Sequence, residues 1–307
     1  MKLKTVQADH YNGQLDKHEY IDKMHEIHSI LFDYAEFIKG RDIKSIEITD
    51  DLVVMTSRNR NVKIICDKND KRIIPIEILN FGSYEESDFN MILNLITDKD
   101  CVLDIGANIG WFSINVGKIK TNCKIMSFEP IPKTFDYLKR NIELNNASNV
   151  QINNFGFSNE EKEISFYYNP EGSGNASSAN LSGKPIVQEI TCQVKKLDDF
   201  IDSNKVKVDF IKCDVEGAEL LVMQGGLQTI KTQKPIIFTE LLRKWASHFN
   251  YHPNEVIELF GNLGYRCFTA KNEKLIAFGK MDDTTVETNF FFLHSVEHLQ
   301  IIKELAV

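Results

Sequence analysis

The run Val102-Leu103-Asp104-Ile105-Gly106-Ala107-Asn108-Ile109-Gly110-Trp111-Phe112-Ser113 constrains this chain more than any other stretch. Its first residues are apolar and β-prone, as in a strand buried on both faces. Glycines then mark a tight turn, and the following residues read as a helix. A strand that enters a helix through such a turn opens a β-α-β unit. The alternation continues downstream. Strands are expected at Cys101–Ile105, Lys124–Phe128, Val150–Phe157, Val208–Cys213 and Pro235–Leu241, and helices at Asn108–Lys118, Pro132–Asn146, Ala218–Lys231 and Pro253–Leu263. Repeated units of this kind predict an α/β fold with a doubly wound, mostly parallel sheet and helices on both faces. Two late strands, Arg266–Ala270 and Phe290–Leu293, follow, and the Phe-rich one suits an antiparallel insertion. Glu163–Tyr168 and Glu189–Val194 read as a β excursion around a polar loop.

Upstream of residue 81 the pattern differs. Residues 1–40 read as helical, because Ile21, Met24, Ile27, Leu31, Phe32, Ala35 and Ile38 recur at three- and four-residue steps before Gly40. Residues 43–80 hold short β-prone runs, the last at Ile73–Leu79, between Asp-, Asn- and Lys-rich turns. The chain is thus divided into an N-terminal helical and small β appendage (1–80) and the α/β domain (81–307).

A formal net charge of −8 argues against general nucleic-acid binding, which needs a clustered basic surface. The six cysteines are scattered, with no CxxC pair, and several sit in apolar runs. Buried reduced thiols in a reducing compartment are the expectation. The N-terminus lacks the apolar core of a signal peptide, and no apolar run approaches the length of a membrane span. A cytoplasmic location with no membrane span is expected.

Four strand ends carry the chemistry. The turn after the first strand presents free N–H groups and the positive end of a helix to an anion. Its glycine spacing, D-x-G-x-N-x-G, is not the G-x-G-x-x-G of dinucleotide enzymes, which favours the methionine carboxylate of S-adenosylmethionine (SAM) over a nicotinamide cofactor. Asp104 could face the ligand's ammonium. Glu129, in Phe128-Glu129-Pro130, ends the second strand where a carboxylate accepts ribose hydroxyls. Asp214 and Glu216 end a third strand and are candidates for a general base, set against plain helix N-capping. Glu240 ends the next strand and should line the same cleft. His248 and His252 follow at i, i+4. A zinc pair is disfavoured there, and His248 is weighed as a base or substrate contact against an ordinary surface histidine. Glu171–Asn180 is read as either a substrate loop or a flexible connector.

Together these motifs resemble the FkbM family of SAM-dependent methyltransferases. The resemblance runs from about Gly82 to Gly264 and takes in Gly82-Ser83-Tyr84-Glu85, the Asp104–Gly110 turn, Phe128-Glu129-Pro130, Asn141–Asn145, Gly174-Asn175-Ala176-Ser177, Leu197–Phe200, Lys212–Glu219, Gly225-Gly226 and Glu240. It implies a class I SAM-methyltransferase (Rossmann-like) fold. The implied cofactor set is Asp104, Gly106, Ala107, Asn108, Gly110, Trp111, Phe112, Glu129, Pro130 and Asp214, with Gly156 and Phe157 at the adenine and Tyr84 and Glu85 closing over SAM. Asn175, Ser177 and Glu240 are the expected acceptor contacts, and Asp214, Glu216 and His248 the catalytic candidates.

The resemblance implies an O-methyltransferase acting on a sugar, sugar nucleotide or glycan. A non-sugar metabolite as acceptor, a nicotinamide oxidoreductase and a non-catalytic SAM-binding scaffold are the rival readings. No resident metal is expected, although Asp214, Glu216 and Glu240 could hold Mg²⁺ as a minority alternative. The partners expected are a small-molecule or glycan acceptor, no nucleic acid, and a second copy of the chain through the N-terminal region.

Overall fold

A computed structural model describes residues 2–168, 171 and 188–307. Three helices come first: α1 (Lys2–Tyr11), α2 (Lys17–His28) and α3 (Ile30–Phe37). A small sheet follows, β1 (Ile43–Ile48), β2 (Val53–Ser57) and β3 (Lys63–Ile65), then α4 (Ile74–Phe81) and α5 (Glu86–Leu95). The main alternation is β4 (Cys101–Ile105), α6 (Trp111–Ile119), β5 (Lys124–Phe128), α7 (Pro132–Leu144), β6 (Val150–Asn153) and β7 (Gly156–Phe157). Next come β8 (Lys162–Tyr168), β9 (Gln188–Lys195), α8 (Leu197–Asn204), β10 (Phe210–Cys213), α9 (Glu219–Gly225), α10 (Leu227–Gln233) and β11 (Ile236–Glu240). The chain ends through α11 (Arg243–Ala246), a 3-10 turn (Ser247–Phe249), α12 (Pro253–Asn262), β12 (Tyr265–Lys271), β13 (Lys274–Phe278), β14 (Asn289–His294) and α13 (Leu299–Leu305).

The central sheet has the order β13-β12-β14-β11-β10-β4-β5-β6. Strands β6, β5, β4, β10 and β11 are mutually parallel, whereas β14 runs antiparallel to both β11 and β12. The expected doubly wound sheet with a late antiparallel insertion is therefore present. In register, Glu240 at the end of β11 lies opposite Asn289 at the start of β14. From β4 the chain winds outward through β5 and β6, then returns to place β10 on the other side of β4. That reversal opens a crevice at the carboxyl ends of β4 and β10.

Side chains alternate across the sheet, and both faces are apolar. Leu103, Ile105, Ile211 and Ile237 pack on one face with Leu197, Met223 and Phe260. Val102, Ile125, Phe210 and Phe238 pack on the other with Phe89, Val116 and Ile302. Phe290, Phe291 and Phe292 are fully buried, each contributing roughly 2 kcal/mol through burial. Five of the six cysteines are buried, Cys66 is half-buried, and all six are free thiols. Among the described residues, no helix is long and apolar enough to cross a membrane.

Several boundaries differ from the sequence expectation. Ile73–Leu79 reads as a strand but forms most of α4, because Pro75 sits in its first turn, where a missing N–H costs nothing. Val150–Phe157 divides into β6 and β7, which belong to different sheets. Ala218–Lys231 is two helices. The break falls at Gly225, where a Cβ would lie 2.1 Å from the Ser158 carbonyl oxygen, so the backbones meet at a distance only glycine allows.

The appendage has two parts with different fates. The small sheet is fused to the main body: Asn141 accepts from Ile65 N–H at 3.0 Å, and Asn145 bonds both backbone groups of Lys63. Ile43, Met55, Val62 and Ile64 share a core with Ile109, Trp111 and Ile114. Helices α1, α2 and α3, in contrast, contain no buried residue. The apolar face predicted there stands in solvent, with Ile21, Leu31 and Phe32 exposed.

Candidate active site at the strand carboxyl ends

Two cavities of about 560 and 570 Å³ open above the crevice. The smaller is lined by Glu129, Pro130, Gly156, Phe157 and Val215, and by residues of β8. The larger is lined by Tyr84, Glu85, Asp88, Ala107, Trp111, Phe112, Glu240, Trp245 and Asn289. Four residues belong to both: Gly106, Asn108, Asp214 and Glu216. They form the partition where the two spaces meet.

The turn after β4 is held from both sides. Gly106 N–H and Ala107 N–H both donate to the Phe128 carbonyl at 3.0 Å, and Asp214 N–H donates to the Ile105 carbonyl at 3.0 Å. Gly106 has φ +79, and a Cβ there would lie 1.8 Å from the Asp214 carbonyl oxygen. Glycine is thus required for two strand ends to touch, a packing role in addition to the expected ligand approach. Gly110 starts α6 and lines neither cavity.

Glu129 is 6% exposed, and each of its oxygens accepts one backbone N–H, from Asn108 at 3.0 Å and Ile131 at 2.9 Å. Burial outweighs those bonds and pushes its pKa up to about 7. The side-chain oxygen of Asn108, a cavity-lining residue, is buried and has no partner among the described residues. A ligand hydroxyl or ammonium would satisfy it.

Asp104, expected to face the ligand's ammonium, is fully buried and lines neither cavity. Its carboxylate accepts from Ser113 Oγ at 2.6 Å, and Ser113 Oγ lies 2.6 Å from Ser127 Oγ. Its other oxygen is 3.4 Å from Lys212 Nζ. Lys212 also lies 3.3 Å from Asp214 and donates to the Gly106 carbonyl at 2.7 Å. Burial opposes the Lys212 charge, but Asp214 and Asp104 outweigh it and push the ammonium pKa up.

The Asp214–Glu219 loop is shaped from below. Glu219 accepts from the N–H groups of Val215 and Gly217 and from the Tyr251 hydroxyl, and burial raises its pKa to about 7. Glu216 takes a left-handed φ of 55° above this anchor. Oxygens of Asp214, Glu216 and Glu240 lie within 4.8 Å of one another, a spacing that one divalent cation could bridge. Burial and then Asp214 push the Glu216 and Glu240 carboxyls well above the usual range, with Glu219 adding to Glu216 and Glu216 adding to Glu240. Each of the two carboxylates therefore holds a proton more readily than an ordinary glutamate does.

His248 stands exposed on the 3-10 turn and lines neither cavity. His252 caps α12, accepting from Asn254 N–H at 3.1 Å. Asn175 and Ser177 lie outside the described residues.

Sequence reasoning passed over Lys212, Glu219, Trp245 and Asn289 as site residues. Lys212 carried a signal: a lysine inside Phe210-Ile211-Lys212-Cys213, a strand otherwise fit for full burial, needs internal partners. Asn289, which donates to Asp88 at 2.9 Å, had none, because its position depends on strand order.

The family model for the methyltransferase FkbM domain matches residues 104–267, just over half of the chain. Methyltransferase 1 of Beauveria bassiana is 28% identical over 60% of this chain and 75% of its own length. Methyltransferase sdnD of Sordaria araneosa is 31% identical over 40% of this chain and 59% of its own. The hexuronic acid methyltransferase AglP of Haloferax volcanii is 26% identical over 50% of this chain and 61% of its own. The matches thus span three quarters of the first relative and about three fifths of the other two.

Proposed function

The chain belongs to the methyltransferase FkbM domain family, and from that premise we propose that it transfers a methyl group from SAM to a hydroxyl of a sugar, sugar nucleotide or glycan. The observation that carries this reading is the shared partition. The cavity beside Glu129 suits the adenosyl half of the donor, each carboxylate oxygen keeping a second lone pair for a ribose hydroxyl beside the backbone N–H it already accepts. The cavity beyond Asp214 and Glu216 suits the methionine half of the donor, at Tyr84, Glu85, Ala107, Trp111 and Phe112, with the acceptor beyond it. A group lodged at Gly106, Asn108, Asp214 and Glu216 is in reach of both.

The donor supplies an electrophilic methyl on a positively charged sulfur. An O–CH₃ bond forms, the S–CH₃ bond breaks with its electron pair going to sulfur, and the hydroxyl proton leaves to a carboxylate. Since the leaving thioether is neutral, the protein's work is alignment and proton removal. Asp214 and Glu216 stand at the partition and are the residues assigned the proton; Glu240 lies behind them on the acceptor side. The sugar class draws support from the relative named for a hexuronic acid.

The test is transfer of labelled methyl from SAM to a panel of nucleotide sugars, glycans and non-sugar alcohols, run with Mg²⁺ and with EDTA. Label on a sugar hydroxyl, with S-adenosylhomocysteine released, is expected. Label confined to non-sugar acceptors overturns the acceptor class, and failure to bind SAM overturns the reaction.

A further inference from the structure

Among the described residues, Lys212 is the buried lysine at the partition, and it also lines the larger cavity. Its side chain is 10% exposed, on a strand whose other residues are fully buried. Its ammonium makes three contacts, and two of them are to partition residues: the Gly106 carbonyl at 2.7 Å and the Asp214 carboxylate at 3.3 Å. The third, Asp104 at 3.4 Å, is a carboxylate that no solvent reaches and that Ser113 orients from the far side.

We propose that Lys212 is a positioning residue of the transfer site, which fixes the Gly106 carbonyl and the Asp214 carboxylate so that donor and acceptor meet in line. This rests on the two-cavity reading above. The argument is geometric. Gly106 and Asp214 sit on adjacent parallel strand ends, and backbone bonds hold the turn from the β5 side through Phe128. On the β10 side the Gly106 carbonyl has Lys212 as its donor. Asp104 holds the ammonium in place by charge, and the ammonium in turn holds the two groups that face the ligands. The order of contact runs from Ser127 and Ser113 to Asp104, then to Lys212, then to Gly106 and Asp214. Sub-ångström loss of alignment is costly in such a site, on the order of a hundredfold in rate for a 1 Å misplacement.

Removing Lys212 alone leaves Asp104 as an uncompensated buried charge and endangers the fold. The informative protein is therefore Lys212→Met combined with Asp104→Asn, in which both charges leave together and a neutral pair remains. Calorimetry with S-adenosylhomocysteine and steady-state kinetics are compared with wild type, with thermal unfolding as the control. A double variant that keeps wild-type stability is expected to bind S-adenosylhomocysteine roughly tenfold more weakly and to lose about a hundredfold in kcat, with the acceptor KM little changed. Wild-type affinity and kcat in the double variant would reduce Lys212 to a charge partner for Asp104 and overturn the proposal. A double variant that loses stability is replaced by Asp104→Asn alone, which frees Lys212 from its anchor: unaltered donor affinity and kcat in that protein overturn the proposal equally. Should wild type itself bind neither SAM nor its product, the two-cavity reading fails first, so the two failures are distinct.

Discussion

The cavity beside Glu129 and the larger cavity beyond Asp214 share a wall but are built in different ways. Around Glu129, each key group hangs on backbone next to a parallel strand end. Glu129 is clasped by two main-chain N–H groups, and the Gly106–Ala107 turn is fastened to Phe128. In the larger cavity, the walls come from distant segments: Tyr84 and Asp88 before the sheet, Glu240 at the end of β11, Trp245 on α11 and Asn289 on β14. Local chain geometry defines the first, and tertiary assembly defines the second. A conserved reaction with a variable acceptor would use this division.

The contrast can be broken most severely at the partition. Gly106→Ala places a Cβ 1.8 Å from the Asp214 carbonyl at a φ that side chains disfavour. It should abolish donor binding in calorimetry or leave no folded protein by circular dichroism. A folded variant with ordinary affinity would mean that the two strand ends do not need to touch.

A matched pair sharpens the division at intermediate cost. Glu129→Gln should weaken S-adenosylhomocysteine binding by at least about tenfold, the loss of a charge-assisted bond pair, with the acceptor KM unchanged. Glu240→Gln should do the reverse, sparing donor affinity and altering acceptor KM or kcat. If both variants move the same constant, the two cavities are not functionally separate.

The most gradual effect is on stability. The Glu129 pKa is raised by burial to about 7, so the folded protein binds this proton more tightly than the unfolded chain does. The contribution is present at low pH and is lost as pH rises from the ordinary carboxylate value of about 4.5 through about 7. Glu129→Gln should therefore gain on wild type, in the ligand-free state, between pH 5 and pH 8, by no more than roughly 3 kcal/mol. A constant difference across that range would show that burial does not hold the proton.

How far the sequence discloses this molecule follows the same division. The β4 turn, Glu129, Asp214 and Glu216 were legible because each sits at a fixed offset from a strand whose apolar run is unmistakable. Asp104 was legible as important but not in its role: a carboxylate at a strand end points into the crevice or beneath it, and only the packing of Ser113 and Lys212 decides which. His248 looked near the cleft because it follows Glu240 closely, yet α11 and the 3-10 turn carry it out to solvent. Ile73–Leu79 misled because a short apolar run fits a strand or a buried helix equally. The apolar stripe on α2 and α3 was real as a pattern, but a pattern shows only that a face could be covered and not that the same chain covers it.

The reversed direction of β14 has a consequence for how this enzyme family could diversify. A strand laid head-to-tail against β11 starts where its neighbour stops, so the segment 281–288 that leads into it is delivered to the catalytic rim instead of the opposite end of the sheet. Insertions or exchanges in that segment would reshape the mouth of the larger cavity while leaving β4, β5 and β10 untouched. One inverted strand thus gives the scaffold a tuning handle that mutation can turn without disturbing the chemistry.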